Sequence, residues 1–407
     1  MIESTSAVDD LETRSRYHHE SHRTLISTVR AGAGVARDVD AIIVPTARPA
    51  PAMRHAIGLA SRLGCTLVAL CSKSSSAREV VALADGVASV VAIDVRGPLR
   101  ELVPRFETCF LMENTRFERR TDTSLKRNLG LLLSHLMGWR RVVFLDDDIT
   151  VLRAQDLRVA AGLTDTHAAV GLNVVGYPDN SVVCHAYREA GGPQKTFIGG
   201  GALAVGARSM TSFFPNIYNE DWFFLLDDEG LRRSAVAGEV RQAPYDPFAT
   251  RQRAAKEELG DLLAEGLFAL LDDGRTTRDA THRFWRGFLV TRFRFINDVL
   301  AMVDSTVRDG DRRRRMLTAL RAARAQCESI RADQCVRYLA AWRSDRVRWR
   351  QHLDELRARK GPEVRGLEKL LSYLGIAHEA WHSRPTGQGL HENAADLGLA
   401  PAASVGQ

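Results

Sequence analysis

The sequence predicts an α/β protein, a mostly parallel sheet flanked by helices, followed by a C-terminal α-helical extension. Three observations carry that expectation. Between about residues 40 and 150, short wholly apolar runs alternate with helical patterns, the rhythm of β–α units whose strands are buried on both faces. From about Ala254 to Leu374 nearly every segment has helical period instead. One apolar run, Arg141 to Leu145, ends in three consecutive carboxylates, Asp146, Asp147 and Asp148. In open α/β sheets, ligands bind at strand exits of this kind.

The elements follow in order. Residues 1–38 are polar without sustained periodicity and read as a mobile or loosely docked arm. Ala41-Ile42-Ile43-Val44 reads as a buried strand, stopped by Pro45-Thr46-Ala47-Arg48-Pro49. Met53 to Leu63 has helical pattern with Gly64 as its stop signal, and Thr66 to Cys71 is the next strand. A serine-rich turn, Ser72 to Ser76, leads to a helix from about Ala77 to Ala84, then to a strand over Ser89 to Ile93. An apolar-rich helix over Leu125 to Trp139 feeds the acidic strand. Ala168 to Val175 reads as a strand, Phe197 to Val205 as a glycine turn entering a strand, and Asn219 to Leu226 as a helix start. Helical period then dominates Ala254 to Leu271, Arg283 to Val303 and an arginine-rich stretch to about Leu374. The expected division is a polar arm (1–38), an α/β domain (39–253), a helical region (254–383) and a flexible tail rich in Gly, Ala and polar residues (384–407).

Bulk numbers narrow the class. An apolar share of 45% over 407 residues is that of a globular protein with a full core. Nothing approaches the roughly 18 uninterrupted apolar residues of a membrane span, and Met1 to Asp10 is too acidic and polar for a secretory signal. Six cysteines stand without Cys-x-x-Cys spacing, which argues against structural zinc and a disulfide framework and fits a reducing cytoplasm. The net charge of +6 is modest, but arginine crowds the last third, as in Arg312 to Arg315 and Arg343 to Arg350. Such a face meets nucleic acid, acidic lipid or an anionic substrate in some proteins, and is simply solvated in most.

The acid cluster is the strongest chemical signal. Side chains alternate along a strand, so Asp146 and Asp148 are expected to point the same way. Two like charges there repel unless a cation lies between them, and hard divalent ions such as Mg²⁺ or Mn²⁺ take oxygen ligands of this kind, with substrate phosphates completing the shell.

The stretch resembles the Asp-x-Asp motif of family-2-like glycosyltransferases with the GT-A fold, where the metal holds a nucleotide-sugar diphosphate. Further motifs follow in the family's order over roughly residues 40 to 285. Val44-Pro45-Thr46-Ala47-Arg48 resembles the strand and Pro-Thr turn that line the nucleotide, which implies nucleotide contacts for Pro45 and Thr46 and a phosphate contact for Arg48 through its planar fork. Lys126-Arg127-Asn128-Leu129-Gly130 resembles the basic-Asn-x-Gly stretch beside the nucleotide, implicating Lys126 and Asn128. Asp148 and Asp146 are the implied metal ligands, with Asp146 and Asp147 also beside the nucleotide-sugar. Gly199-Gly200-Gly201 allows close backbone approach, which places Gly200 and Gly201 at the acceptor. Tyr218-Asn219-Glu220-Asp221-Trp222 resembles the family's Glu-Asp motif. There a carboxylate faces the acceptor, as its general base in inverting members, so Asp221 and Glu220 are the candidate catalytic residues and Trp222 an aromatic platform. A histidine downstream completes the metal shell in several such enzymes, and His282 lies in a suitable place.

The function implied is transfer of a sugar from a nucleotide-diphosphate donor, UDP- or GDP-linked, to a small-molecule or lipid-linked acceptor, with Mn²⁺ or Mg²⁺ as cofactor. No nucleic-acid partner is expected. The helical extension is longer than a minimal catalytic domain needs; dimerisation ranks first among its expected roles, ahead of covering the acceptor or touching a membrane peripherally. The alternatives are a sugar nucleotidyltransferase on a similar fold and a non-catalytic basic module binding nucleic acid or membrane. Against the first, Val44-Pro45-Thr46 stands where those enzymes carry a Gly-rich, Arg-containing loop. Ala31 to Arg37 imitates a dinucleotide fingerprint but precedes its strand, and no Gly-x-Ser-x-Gly elbow is present.

Overall fold

The run Ala41-Ile42-Ile43-Val44 is wholly buried, and its alternation decides the layering. Ala41 and Ile43 enter one apolar core while Ile42 and Val44 enter the other, on the opposite face of the sheet. A strand with two apolar faces needs helices on both. Burying each such Ile or Val is worth about 1.5–3 kcal/mol. The computed structural model describes residues 22–29, 34–177, 180–195 and 197–385. Its strands are β1 (Ser27–Val29), β2 (Ala41–Thr46), β3 (Thr66–Cys71), β4 (Val90–Asp94), β5 (Arg141–Leu145), β6 (Ile149–Val151), β7 (Ala169–Gly176), β8 (Ala202–Gly206), β9 (Ser234–Gln242) and β10 (Trp381–Arg384). They form one sheet in the order β1-β9-β7-β8-β5-β2-β3-β4-β10, with β6 added on β9.

The architecture is the expected α/β one, a large central sheet flanked by helices with a helical C-terminal part. The sheet is more mixed than predicted. The β5-β2-β3-β4 half is parallel, whereas β8 runs antiparallel to both β5 and β7. Helices Arg54–Leu63, Ala77–Leu83 and Ala154–Leu163 cover one face. Helix Thr123–Met137 and the long C-terminal helices cover the other. Gly64 ends its helix in the left-handed region (φ 66°) as predicted, and Gly138 does the same at φ 70°.

The first and last described segments are bound more closely than the sequence suggests. From the arm, β1 pairs with β9 and His22 is buried; residues 1–21 lie outside the described residues. From the far end, β10 pairs antiparallel with β4. Of the predicted tail, residues 386–407 lie outside the described residues. Helices Arg251–Asp272, His282–Thr306, Gly310–Glu328 and Ala332–Arg359 pack on one another and on the sheet's core. Many of their arginines meet acids there: Arg312 reaches Glu189 and Asp246, and Arg346 reaches Asp228. Among the described residues, no helix is long and apolar enough to cross a membrane.

The site is positioned by a reversal of strand order. From β2 the chain moves outward to β3 and β4, then returns to place β5 on the other side of β2. β2 pairs with β5 only through Ile43, whereas its pairing with β3 runs on to Thr46. Pro45, which has no N–H, falls where the β5 ladder has already ended. The two strands therefore part at their carboxyl ends, where the acid triplet follows β5 and Asp146 lines a crevice.

Candidate functional site

Strand β5 stops at Leu145, so the strand's alternation does not run through the acids. Asp146 instead begins a turn: its N–H donates to the Gly201 carbonyl at 2.8 Å, and its own carbonyl accepts from the Ile149 N–H at 3.1 Å. Asp147 and Asp148 share one cation. The Arg48 guanidinium donates to both carboxylates, at 2.9 Å to Asp148. Thr46 Oγ1 donates to Asp147 at 2.7 Å, and Gln242 Nε2 to Asp148 at 3.2 Å. Asp146 turns the other way, accepting from Arg127 Nη2 on both oxygens at 3.1 Å. The structure thus brings Pro45, Thr46, Arg48 and the triplet together, while the expected pairing of Asp146 with Asp148 on one strand face is replaced by a turn that splits them.

Burial pushes the Asp146 carboxyl above the usual carboxylate range, Arg127 opposes this, and the charge of Asp148 adds to it. Gly201 leaves room for the carboxylate: a Cβ there would stand 3.2 Å from Asp146 Oδ2. Asp146 stays 31% exposed and Asp148 19% exposed, so each could offer an oxygen from its own side of the turn to a hard divalent ion, whose remaining ligands phosphate and water would supply. His282 stands apart: it is exposed at the first turn of its helix and outside the cavity lined by Asp146.

Lys126 and Asn128 reach inward. Lys126 Nζ donates to the Thr46 carbonyl at 2.7 Å and to Ser72 Oγ at 2.6 Å, tying the helix to the ends of β2 and β3. Asn128 spends its amide on the Phe214 backbone, donating to its carbonyl at 2.9 Å and accepting its N–H at 2.8 Å. Gly130 serves the core and not a ligand: a Cβ there would sit 2.8 Å from Ile43 Cγ2 and 3.0 Å from Phe144 Cε1. The glycine lets the helix close on the sheet.

Across the crevice, Asn219 in the left-handed region (φ 61°) starts the short helix Glu220–Leu225. Glu220 is buried between two guanidinium groups, Arg127 at 2.9 Å and Arg119 at 2.8 Å. Burial works to raise its carboxyl, but Arg119 and Arg127 hold it below the usual range. Asp221 is oriented by two backbone donors, the Trp222 N–H at 2.9 Å and the Gly200 N–H at 2.5 Å. Trp222 packs in an aromatic box, with ring centroids 4.7 Å from Phe268, 4.9 Å from Phe197 and 5.5 Å from His22.

These groups line a polar cavity of about 220 Å³ together with Gly199–Gly201, Asp261 and Glu265. A second cavity, about 940 Å³, opens at the carboxyl ends of β3 and β4. Lys73, Arg96, Arg100, Arg105, Arg119 and Arg120 make it basic, against Glu113, Glu118 and Asp122. Arg119 borders both cavities.

Sequence reasoning missed Arg127, although it stands inside the quoted motif, because a Lys-Arg pair on a helix reads as a solvated face. It is 4% exposed and joins Asp146 to Glu220. It also missed Asp261 and Glu265. The signal was present in Lys256-Glu257-Glu258-Leu259-Gly260-Asp261-Leu262-Leu263-Ala264-Glu265, where acids recur near helical spacing on a helix that is otherwise apolar.

An α/β sheet with a carboxylate-lined crevice at its strand-order reversal defines a ligand-binding class, open to enzymes of many kinds. No protein-family model matches the chain, and no curated protein sequence matches it. Among solved structures, a mannosyltransferase from Pyrobaculum calidifontis, in complex with GDP-Man and Mn²⁺, aligns with 86% of this chain and 94% of that chain. Identity is 14% and the TM-score 0.39, a loose likeness that carries no argument about the site.

Proposed function

We propose that the chain is a metal-dependent glycosyltransferase of GT-A type that moves a sugar from a nucleotide-diphosphate donor to a small acceptor. One observation carries the reading: at the parting of β2 and β5, the half-exposed Arg48 sits on Asp147 and Asp148, while Asp146 is tied through Arg127 to Glu220, whose neighbour Asp221 is held on the Gly200 backbone. Anionic donor and acceptor hydroxyl then have separate, adjoining places.

The donor's nucleotide would lie toward the basic cavity, with Thr46 and Arg48 beside its diphosphate. Arg48 is half exposed, so its side chain is free to exchange a carboxylate for phosphate, a partner that suits its planar fork. A divalent ion held by Asp146 and Asp148 would neutralise charge on the departing diphosphate. Asp221 is the general base: the acceptor oxygen bonds to the anomeric carbon, its proton passes to the Asp221 carboxylate, and the sugar–phosphate C–O bond breaks to release nucleoside diphosphate. Glu220 is a poor base here because two arginines occupy it; its part is to hold Arg127 against Asp146. His282 has no role in this arrangement.

The test is release of nucleoside diphosphate from a panel of UDP- and GDP-sugars with Mn²⁺ or Mg²⁺, in wild type and Asp221→Asn. Loss of a general base is expected to lower turnover about 10²- to 10⁴-fold with nucleotide binding retained. Full turnover in the variant, or no diphosphate release from any donor, would reject the proposal.

A further inference from the structure

The first four turns of helix His282–Thr306 carry arginine without acid. Between Ala280 and Asn297 the chain holds four arginines and no Asp or Glu. Arg292 points inward, buried on Glu258 and Asp261. The other three, Arg283, Arg286 and Arg294, are exposed, and among the described residues their guanidinium groups have no ion-pair or hydrogen-bond partner. That sets them apart from other surface arginines of the helical region. Arg278 meets Glu229, Arg314 meets Asp311, Arg331 and Arg337 share Asp333, and Arg359 meets Glu355.

The three surround an apolar centre. Val290, 50% exposed, stands four residues after Arg286 and four before Arg294, with Arg283 two turns before it, so helical spacing sets all four side chains on one face. The stripe from Arg283 to Arg294 is about 16 Å long. Gly287 lies on the same face and leaves Val290 uncovered: a Cβ there would meet nothing within 4 Å. Leu289 and Phe293 border the stripe, half-buried, with their inner sides on the core. Past Arg294, Arg324 of the next helix donates to Asn297 at 3.1 Å and meets no acid, which adds a fourth cation. The next acid along the helix, Asp298, is half-buried.

An uncovered aliphatic patch ringed by unpaired cations fits a surface that is anionic outside and apolar within, a membrane containing acidic lipid. A second copy of the chain suits it poorly, because two such helices paired across this face would set arginine against arginine. Nucleic acid would satisfy the arginines but gain nothing from Val290, Leu289 and Phe293. The apolar centre is small, so the attraction is chiefly electrostatic, and the helix lies on the headgroups.

We propose that this face of helix His282–Thr306 docks the protein on anionic lipid, with Arg283, Arg286 and Arg294 at the headgroup phosphates and Val290 entering between them. The inference does not rest on the glycosyltransferase reading, and either can fail without the other.

The experiment is co-sedimentation of the full chain with vesicles of phosphatidylcholine alone, and of phosphatidylcholine with phosphatidylglycerol, at low and high salt. Wild type is expected to bind only the anionic vesicles and to be released by salt. Each arginine near an anionic surface is worth about fivefold in binding, so Arg283→Gln, Arg286→Gln and Arg294→Gln combined should weaken it about a hundredfold. Val290→Glu should weaken it as well, since it sets a carboxylate among the headgroups. All four side chains are exposed, so the variants should unfold at the wild-type Tm. A charge-matched control, Arg314→Gln with Arg331→Gln and Arg337→Gln, should keep most of the binding. No binding to anionic vesicles, equal binding to neutral ones, or an equal loss in the control would overturn the inference. A dimer in solution that the triple variant disperses would overturn it in favour of a second copy. Duplex RNA bound more tightly than vesicles, and indifferent to Val290→Glu, would overturn it in favour of nucleic acid.

Discussion

Replacing His22 by glutamine tests how the N-terminal segment is held. The imidazole is buried, with Nε2 3.1 Å from Glu265 and Nδ1 hydrogen-bonded to Asp272, inside the ring box of Phe197, Trp222 and Phe268. Burial alone would lower its pKa, but the hydrogen bonds to Asp272 and Glu265 raise it from 6.5 to about 9. A group whose folded pKa exceeds its unfolded value stabilises the fold fully below the unfolded value, and that contribution fades as pH rises through the folded one. The difference between 6.5 and about 9, at about 1.4 kcal/mol for each tenfold, comes to about 3 kcal/mol. Glutamine keeps hydrogen-bonding capacity but strands two buried carboxylates, a loss of about 3–5 kcal/mol at low pH. Urea unfolding of both proteins from about pH 6 to pH 10 reads this directly. The wild type should start more stable and lose about 3 kcal/mol across the window relative to the variant, so the curves converge. Parallel curves would show that His22 is neutral in the folded state and refute the reasoning.

Further consequences follow from packing. Gly130→Ala places a methyl against Ile43 and Phe144 and should cost about 1–3 kcal/mol by overpacking, read as a lower denaturation midpoint. Asp345, fully buried on the Ala332–Arg359 helix, accepts the N–H groups of Glu107 and Thr108 at 2.7 and 2.8 Å and the Thr108 hydroxyl at 2.8 Å. Asp345→Ala should destabilise by about 2–4 kcal/mol, since buried backbone donors lose charged acceptors. Arg292→Met leaves Glu258 and Asp261 buried without their cation, for a loss of about 3–5 kcal/mol. Adding Glu258→Gln should recover part of it, a coupling that a double-mutant cycle measures.

The parallel half of the sheet was legible because its strands are buried on both faces, so apolar runs such as Ala41 to Val44 and Arg141 to Leu145 declare themselves without context. The helix stop at Gly64 was legible from glycine's access to positive φ; Gly138 was passed over because Trp139 continued the apolar pattern. Strands β1 and β10 were not legible. Ser27–Val29 and Trp381–Arg384 carry no apolar alternation, and what makes them strands is pairing at the sheet's two edges. The same holds within the site. The acid triplet stood out as chemistry, but which acid meets which arginine depends on where β5 ends, a tertiary fact. Asp261 and Glu265 were hidden by distance, because a helix read as belonging to an extension folds back beneath Trp222.

The central claim is that the acid triplet and the crevice beside it hold a nucleotide diphosphate with a divalent ion. Thermal unfolding with UDP, GDP, dTDP and ADP, each with and without Mn²⁺, tests it, using Asp148→Ala as control. A ligand at about 100 times its dissociation constant adds about 2.7 kcal/mol to the folded state, an easily read rise in Tm. The prediction is a Mn²⁺-dependent rise with one nucleotide, absent in Asp148→Ala. No rise with any nucleotide, or a rise that Asp148→Ala leaves intact, would contradict it.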